Sequence, residues 1–311
     1  MYMGGPSSLE GIEPFLYKLF SDRQLINFKI GGTLQNIVAK IISKIRVKKI
    51  RPFYKRFGGC SPQISILYKL ASKIENLYRE NNSGTLDVKV GFCYSAPFIE
   101  DNAPELLQFG YNKIFVTTLY PQYSYTTSGI CFKRFFNAIN ISPPAKKIKI
   151  VNYWYNNSCY NKCLKDRILE MADLLGKSID RCHILFSAHS LPLYTVTKGD
   201  LYIKHIENHI KIILDMVKPG SHSIGYQSKT KFIKWLGPSV PEVIDRLHTE
   251  KIDNIIVVPI SFVSDHIETL MELDEVYINN AQKKGLNILR IKSLNDSDDF
   301  ARSFIDIIES D

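Results

Sequence analysis

The sequence predicts an α/β protein in two halves, each a parallel sheet with helices on both faces. Short β-branched runs alternate with longer segments of helical period along most of the chain. The runs are apolar almost throughout instead of alternating with polar residues, as expected of strands covered on both faces. With 311 residues, 45% of them hydrophobic and 23% charged, the chain can bury the cores of two medium domains.

Strands are expected at residues 88–94, 113–120, 148–154, 182–187, 222–227, 254–262 and 287–291. Helices are expected at 64–80, 159–175, 201–217, 240–249 and 266–284, with a last one around 296–308. A boundary falls in Ser142-Pro143-Pro144-Ala145-Lys146-Lys147, where two prolines and a charge step separate a helix from a strand. The expected organisation is a first domain over 1–143, a second over 144–290, and a terminal helix within 291–311 that packs back on the first domain. Neither half has a G-x-G-x-x-G turn after a strand or a Walker-type loop, so dinucleotide and nucleoside triphosphate chemistry lack support.

The formal charge of +9 favours an anionic partner. Lys and Arg are spread along the chain with no dense basic run interleaved with aromatics, so nucleic acid is not expected. Six cysteines in a chain this long do not make a disulfide framework, and with no signal peptide a cytoplasmic location is expected. Cys159 and Cys163 lie one helical turn apart but lack the two further ligands a metal centre needs. No apolar run approaches the ~20 residues that span a bilayer, so membrane contact would be peripheral.

Chemistry concentrates where the apolar runs stop. In open α/β sheets ligands bind outside the carboxyl ends of the strands, where the loops diverge. His189 ends one run, in Phe186-Ser187-Ala188-His189-Ser190-Leu191-Pro192, and His266 follows another, in Ser264-Asp265-His266-Ile267-Glu268. An imidazole there, facing a carboxylate, can act as a base near neutral pH. At 100° per residue, Asp265, Glu268, Glu272 and Glu275 fall within about an 80° arc of the following helix. Four like charges at helical spacing repel, and such a row attracts hydrated divalent cations. A Ser-His-acid hydrolase built on Ser187 or Ser190 is disfavoured: the G-x-S-x-G elbow is absent, and Ser190 adjoins His189.

Three further segments suit a large flat ligand. Tyr54-Lys55-Arg56-Phe57-Gly58-Gly59-Cys60-Ser61-Pro62 joins cations, aromatics and a Gly-Gly turn that admits close backbone approach. Leu119-Tyr120-Pro121-Gln122-Tyr123-Ser124 ends a strand with two tyrosines. Tyr226-Gln227-Ser228-Lys229 ends another with a cation.

At these residues the chain resembles ferrochelatases, which insert Fe²⁺ into a porphyrin in haem synthesis. The matching stretches are Gly4-Gly5-Pro6, Glu13-Pro14-Phe15-Leu16, Phe20-Ser21-Asp22, Gly58-Gly59-Cys60-Ser61-Pro62 and Tyr120-Pro121-Gln122-Tyr123-Ser124. They continue through Phe186-Ser187-Ala188-His189-Ser190-Leu191-Pro192, Tyr226-Gln227-Ser228-Lys229, Trp235-Leu236-Gly237-Pro238, Pro259-Ile260-Ser261-Phe262 and Ser264-Asp265-His266-Ile267-Glu268-Thr269-Leu270. They run in family order over nearly the whole length.

The resemblance implies an α/β fold of two Rossmann-like (chelatase-type) domains, each a parallel sheet with helices on both faces, with a cleft between them. It implies that His189 takes the pyrrole protons and contacts the metal, with Glu268 as its acidic partner and second metal contact. His266 and Asp265 are then supporting residues, and Glu272 and Glu275 continue an acidic path for metal or protons. Tyr54, Gly59, Ser61, Tyr120, Tyr123, Lys229, Trp235 and Phe262 are the expected porphyrin contacts. Fe²⁺ is the substrate metal, protoporphyrin IX the expected ring, and a monomer, peripheral on the inner membrane surface where anionic lipid attracts it, the expected state.

The chain departs from the family at several points. Only Met1-Tyr2-Met3 precede Gly4, too few for the usual first strand. This implies a start further upstream, a stub that does the pairing, or an impaired protein. Cys93 stands where many members carry Arg or Lys, Thr230-Lys231-Phe232 replaces a Gly-Pro, and Val276 replaces an acidic residue of some members. The tail has no cysteine and no hydrophobic anchor, so no iron–sulfur cluster is expected. A porphyrin- or haem-binding homologue without efficient turnover is the competing reading. A chelatase for another tetrapyrrole fits the Tyr-Pro-Gln-Tyr-Ser and Trp-Leu-Gly-Pro segments less well.

Overall fold

The computed structural model describes residues 1–139, 147–228 and 234–309. The expected boundary at Ser142–Lys147 therefore lies almost wholly outside the described residues, as does Lys229. The chain divides into two compact units, Met1–Trp154 with the chain from Ile305 onward, and Tyr155–Phe304.

The first unit contains helices α1 (Ile12–Ser21), α2 (Gly32–Arg56), α3 (Pro62–Asn81), α4 (Ile99–Gln108) and α5 (Ser128–Ile139). Strands β1 (Ile114–Thr117) and β2 (Ile148–Val151) pair in parallel, Ile114 opposite Ile148. Of these helices only α3 matches one of the expected helix ranges, 64–80. Helix α2 is the clearest case of a concealed one: it buries Gln35 and Ser43 while exposing Leu34, Ile37, Ile41 and Ile45, so its polar and apolar faces do not separate in sequence. Helices α2 and α4 each also carry an internal proline, which normally argues against a helix.

The short N-terminus pairs on both sides. The Met1 amine donates to the Thr117 carbonyl at 2.8 Å, and the Leu119 N–H donates to the Met1 carbonyl at 2.9 Å. On the other side the Tyr2 N–H reaches the Gly91 carbonyl (3.1 Å), and Cys93 N–H and Tyr94 N–H reach the carbonyls of Tyr2 and Met3 (3.0 and 3.1 Å). Residues 1–3 thus satisfy backbone groups of the segments on either side. The expected strand at 88–94 is reduced to isolated parallel bridges of Phe92 with Tyr2 and with Phe98. Behind the stub, Gly4-Gly5-Pro6 lies against the start of α3. A Cβ on Gly5 would come within 2.5 Å of the Ser61 Cβ, and the Ser61 N–H donates to the Pro6 carbonyl at 2.8 Å.

The second unit holds a four-stranded parallel sheet, with β3 (His183–His189), β4 (Ser221–Gln227), β5 (Asn254–Pro259) and β6 (Asn287–Arg290) in the order β4-β3-β5-β6. Between the strands run α6 (Ser158–Leu174) before β3, α7 (Leu193–Thr197) and α8 (Tyr202–Val217) before β4, and α9 (Val240–Thr249) before β5. After β5 comes an eleven-residue π-helix, Glu268–Ile278, followed by α10 (Asn279–Lys283); α11 (Asp298–Glu309) ends the chain.

Central strands β3 and β5 are buried over almost their full length, which is why their sequences do not alternate. On one face Leu185, Ile255, Val257 and Ile288 pack with Val240, Val243, Ile244 and Leu247 of α9 and with Leu273, Ile278 and Ala281 beyond. Helix α9 starts with a capping box, the Ser239 N–H donating to Glu242 at 2.6 Å. It sits so close to β4 that a Cβ on Gly225 would approach the Val240 Cα to 2.9 Å. This packing aims the carboxyl ends of β3, β5 and β6 at one place.

Candidate active site

Strand β3 stops at His189, and three neighbours fix how it stops. The His189 N–H donates to Ser261 Oγ at 3.0 Å, its carbonyl accepts from the Tyr202 hydroxyl at 3.1 Å, and the Ser190 N–H continues to the Gln227 carbonyl at 2.9 Å. The ring Nδ1 lies 2.6 Å from the Ser190 carbonyl, which can only accept, so Nδ1 carries a proton and Nε2 is the nitrogen that faces outward.

That Nε2 meets Glu268, the first residue of the π-helix, with Oε1 3.5 Å away; the two side chains are 33% and 29% exposed. The second oxygen of Glu268 lies 3.3 Å from Nε2 of His266, whose Nδ1 is likewise committed to a carbonyl, that of Ser264, at 3.0 Å. Two imidazoles therefore present the same nitrogen to one carboxylate. Phe262 stacks edge-on against both rings, with centroids 4.5 Å from His266 and 6.1 Å from His189, and walls the group with an apolar surface. Glu268 is oriented from behind as well: the Ser187 hydroxyl donates to Gln227 Oε1 at 2.6 Å, and Gln227 Nε2 donates to the Glu268 carbonyl at 3.2 Å.

The electrostatics follow from this geometry. Burial pushes the His189 pKa down, but the Glu268 carboxylate and the Ser190 carbonyl more than offset it, leaving the imidazole above its ordinary value. For Glu268, burial raises the pKa while His189 and then His266 lower it, and the net position is well below the usual carboxylate range. A group that binds a proton readily thus sits beside an anion that stays ionised.

The acidic row differs from the expected one. A π-helix bonds i to i+5 and turns through less than 100° per residue, so Glu268 and Glu272 stay one turn apart while Glu275 rotates away from them. Asp265 lies outside the row altogether. It accepts from Ser293 Oγ (2.7 Å), Asn295 Nδ2 (2.9 Å) and Thr269 Oγ1 (3.1 Å) and pairs with Arg290 at 3.2 Å. Burial pushes its pKa up, and Arg290 with these donors brings it below the ordinary value. Glu272 accepts from the Ser228 N–H (2.9 Å), the Ser228 hydroxyl (2.7 Å) and the Tyr277 phenol, which anchors the π-helix to the end of β4. Glu275 is partly exposed further along.

The remaining predicted contacts are dispersed. Tyr54 is buried on α2, and Gly59 follows Gly58 with both φ angles at +86°, the left-handed turn that ends α2. Ser61 is buried at the start of α3, and Tyr120 is buried against Tyr2 with ring centroids 4.3 Å apart. Tyr123 is half-buried beside Tyr125, and Trp235 is half-buried and bridged to Pro192. Cys93 is a buried thiol whose sulfur lies 3.4 Å from that of Cys131, a core contact. The residues that sequence reasoning passed over are Tyr277, Tyr202 and Arg290; Ser228 stood only within a segment offered for a flat ligand. Arg290 was within reach, since it lies next to the carboxyl end of the expected strand 287–291.

The whole chain is similar to proteins of one family. The family model described as Ferrochelatase matches residues 1–311. A ferrochelatase of Aquifex aeolicus (strain VF5) is 36% identical over 99% of this chain and 97% of its own. One of Geobacter sp. (strain M21) is 33% identical over 100% and 96%. Among solved structures, SirB from Bacillus subtilis with Fe³⁺ superposes with a TM-score of 0.58 at 13% identity, covering 78% of this chain and 88% of that one. CbiX, the terminal enzyme for siroheme biosynthesis in denitrifying bacteria, gives 0.53 at 12% identity over 80% and 92%. At such identities these two speak for a shared chelatase-type fold, whereas the family match runs over the whole chain. The chain belongs to the ferrochelatase family, enzymes that insert a metal into a porphyrin with ferrous iron as the metal substrate.

Proposed function

We propose that this protein inserts Fe²⁺ into protoporphyrin IX with release of two protons, and that His189 and Glu268 are the reacting pair. The observation that carries the reading is the 3.5 Å approach of His189 Nε2 to Glu268 at the end of β3, both groups accessible from outside. A free porphyrin holds two N–H protons inside a planar ring, so a metal cannot enter until they leave. With Nδ1 committed to the Ser190 carbonyl, Nε2 is the basic site, and the Glu268 charge stabilises the imidazolium that forms. Once the proton passes on, the same nitrogen and carboxylate are donors for the incoming cation, with His266 and Glu272 as the supporting and onward acidic groups. Phe262, edge-on to both imidazoles, supplies an apolar surface suited to a macrocycle.

The two features that motivate a binder without turnover supply no argument for it: the N-terminal stub is paired, and Cys93 is a core thiol. The test is anaerobic insertion of Fe²⁺ or Zn²⁺ into dicarboxylic and tetracarboxylic porphyrins, followed by absorbance. Turnover fastest with the dicarboxylic ring supports the reading. Stoichiometric binding without metallation, or preference for four carboxylates, overturns it in its catalytic or its substrate part.

We further propose a monomer without an iron–sulfur cluster, in the cytoplasm and peripheral on an anionic membrane. No helix among the described residues is long and apolar enough to cross a membrane. Helix α2, by contrast, has eight basic and no acidic residues, with Leu34, Ile37, Ile41 and Ile45 at least half exposed. Co-flotation with anionic but not neutral vesicles is the expected result, and equal recovery with both would remove the membrane from the account.

A further inference from the structure

Arg290 closes β6, opposite Val257 of β5, and only 9% of its side chain is exposed. Its guanidinium forms a two-pronged bond with Asp274, Nε to Oδ1 and Nη2 to Oδ2, each 2.7 Å. The same Nη2 lies 3.2 Å from Asp265, and Nη1 donates to the Ile291 carbonyl (3.1 Å) and Ser293 Oγ (3.0 Å). Ser293 and Asn295, next along the chain, hold Asp265 from the other side. Glu268 lies between the two gripped carboxylates, three residues after Asp265 and six before Asp274.

π-helical hydrogen bonding is rare beyond a single turn, so eleven consecutive residues need an outside restraint. Were the segment to relax to α-helical pitch, each residue would advance by a larger angle and Glu268 would swing relative to His189. We propose that Arg290 is a positioning residue for metal insertion: a buried guanidinium clamp that grips the chain on both sides of Glu268, at Asp265 just before the π-helix and at Asp274 within it, and holds that carboxylate against His189. The proposal rests on the reading of His189 and Glu268 as the reacting pair. The clamp also engages Asp265 and Asp274 fully, leaving Glu268 as the carboxylate that faces the histidine. Lysine could keep the charge but not the fork, because its ammonium cannot bond two carboxylate oxygens in one plane while reaching a second carboxylate.

The experiment uses the full chain and measures kcat and porphyrin KM separately for anaerobic Fe²⁺ insertion, with folding checked by circular dichroism. Arg290→Lys is expected to lower kcat at least about tenfold with KM changed less than about twofold, since misplacing a reacting group costs rate more than ring binding. Asp274→Asn cuts the same link from the other end and is expected to lower kcat by roughly three- to tenfold, again without moving KM. The double variant is expected to match Arg290→Lys alone, because both changes remove one interaction. A wild-type kcat in either folded single variant, a loss confined to KM, or fully multiplicative losses in the double variant would overturn the clamp. Should Arg290→Lys fail to fold, Asp274→Asn decides. Failure of the underlying reading is separately visible, as near-normal metallation by His189→Ala or Glu268→Gln.

Discussion

The two ends of β3 carry the same residue type and treat it in opposite ways. His183 at the amino end is buried, with both ring nitrogens on serine hydroxyls, Ser221 and Ser223, at 2.8 Å. Burial first, then the nearby His222 and Arg246, lower its pKa to about 4. His189, six residues on, gives one nitrogen to a carbonyl and turns the other to a carboxylate, and its pKa rises. Hydroxyls satisfy a neutral ring, while an ionised partner favours the charged one. The residue type alone therefore says little; what sets the chemistry is which end of the strand opens onto an acid.

The strongest break in this contrast is His189→Ala, expected to lower kcat for metallation by roughly 10²–10⁴-fold, the usual contribution of a positioned base, while porphyrin binding by fluorescence quenching persists. Glu268→Gln sharpens it. Removing the charge leaves burial as the largest influence, so the His189 pKa, read by NMR titration of the ring, should fall from above its ordinary value to below it, with metallation down by on the order of 10²-fold. A His189 pKa that stays raised in this variant would show that Glu268 is not the cause.

At the amino end the effect is on stability. His183 is neutral when folded and binds a proton when unfolded below pH ~6.5, so unfolding gains protons as pH falls and stability is lost from ~6.5 down to the folded value of about 4. Over that window the loss is about 3 kcal/mol, and His183→Gln should flatten it in urea titrations at successive pH. His209, fully buried against Asn161 and lowered to about 3 by burial, adds a slope of the same sign. His189 works the other way: its raised folded pKa contributes stability that is fully present below pH ~6.5 and is lost above it, as pH rises through the raised folded pKa. The smallest expected effect is Ser187→Ala, which removes the 2.6 Å bond to Gln227 and should cost about 1 kcal/mol, with a modest kcat loss through the Gln227–Glu268 contact.

Much of the second unit was legible in advance. Expected strands 182–187, 222–227, 254–262 and 287–291 correspond to β3, β4, β5 and β6, because a strand buried on both faces is written as an unbroken apolar run. The first unit was harder to read. Helix α2 hides behind an exposed isoleucine stripe and a buried glutamine and serine, and the 88–94 segment pairs only through isolated bridges. The acidic row was read at α-helical pitch, and the π-helix redistributed it. That widening depends on restraint from β6 and the end of β4, which local periodicity does not encode.

From the linear chain alone came the parallel α/β plan and the strand-end histidines, because apolar runs and their abrupt polar ends are local signals, while the expected partnership of His189 with Glu268, 79 positions later, came from the resemblance its motifs carry. Only the folded arrangement decided which nitrogen of His189 is free, that Asp265 is spent on Arg290 and not on the acidic row, and that Glu272 is tied to Ser228. Those are matters of ångströms and direction between residues distant in sequence, set by how helices and strand ends pack.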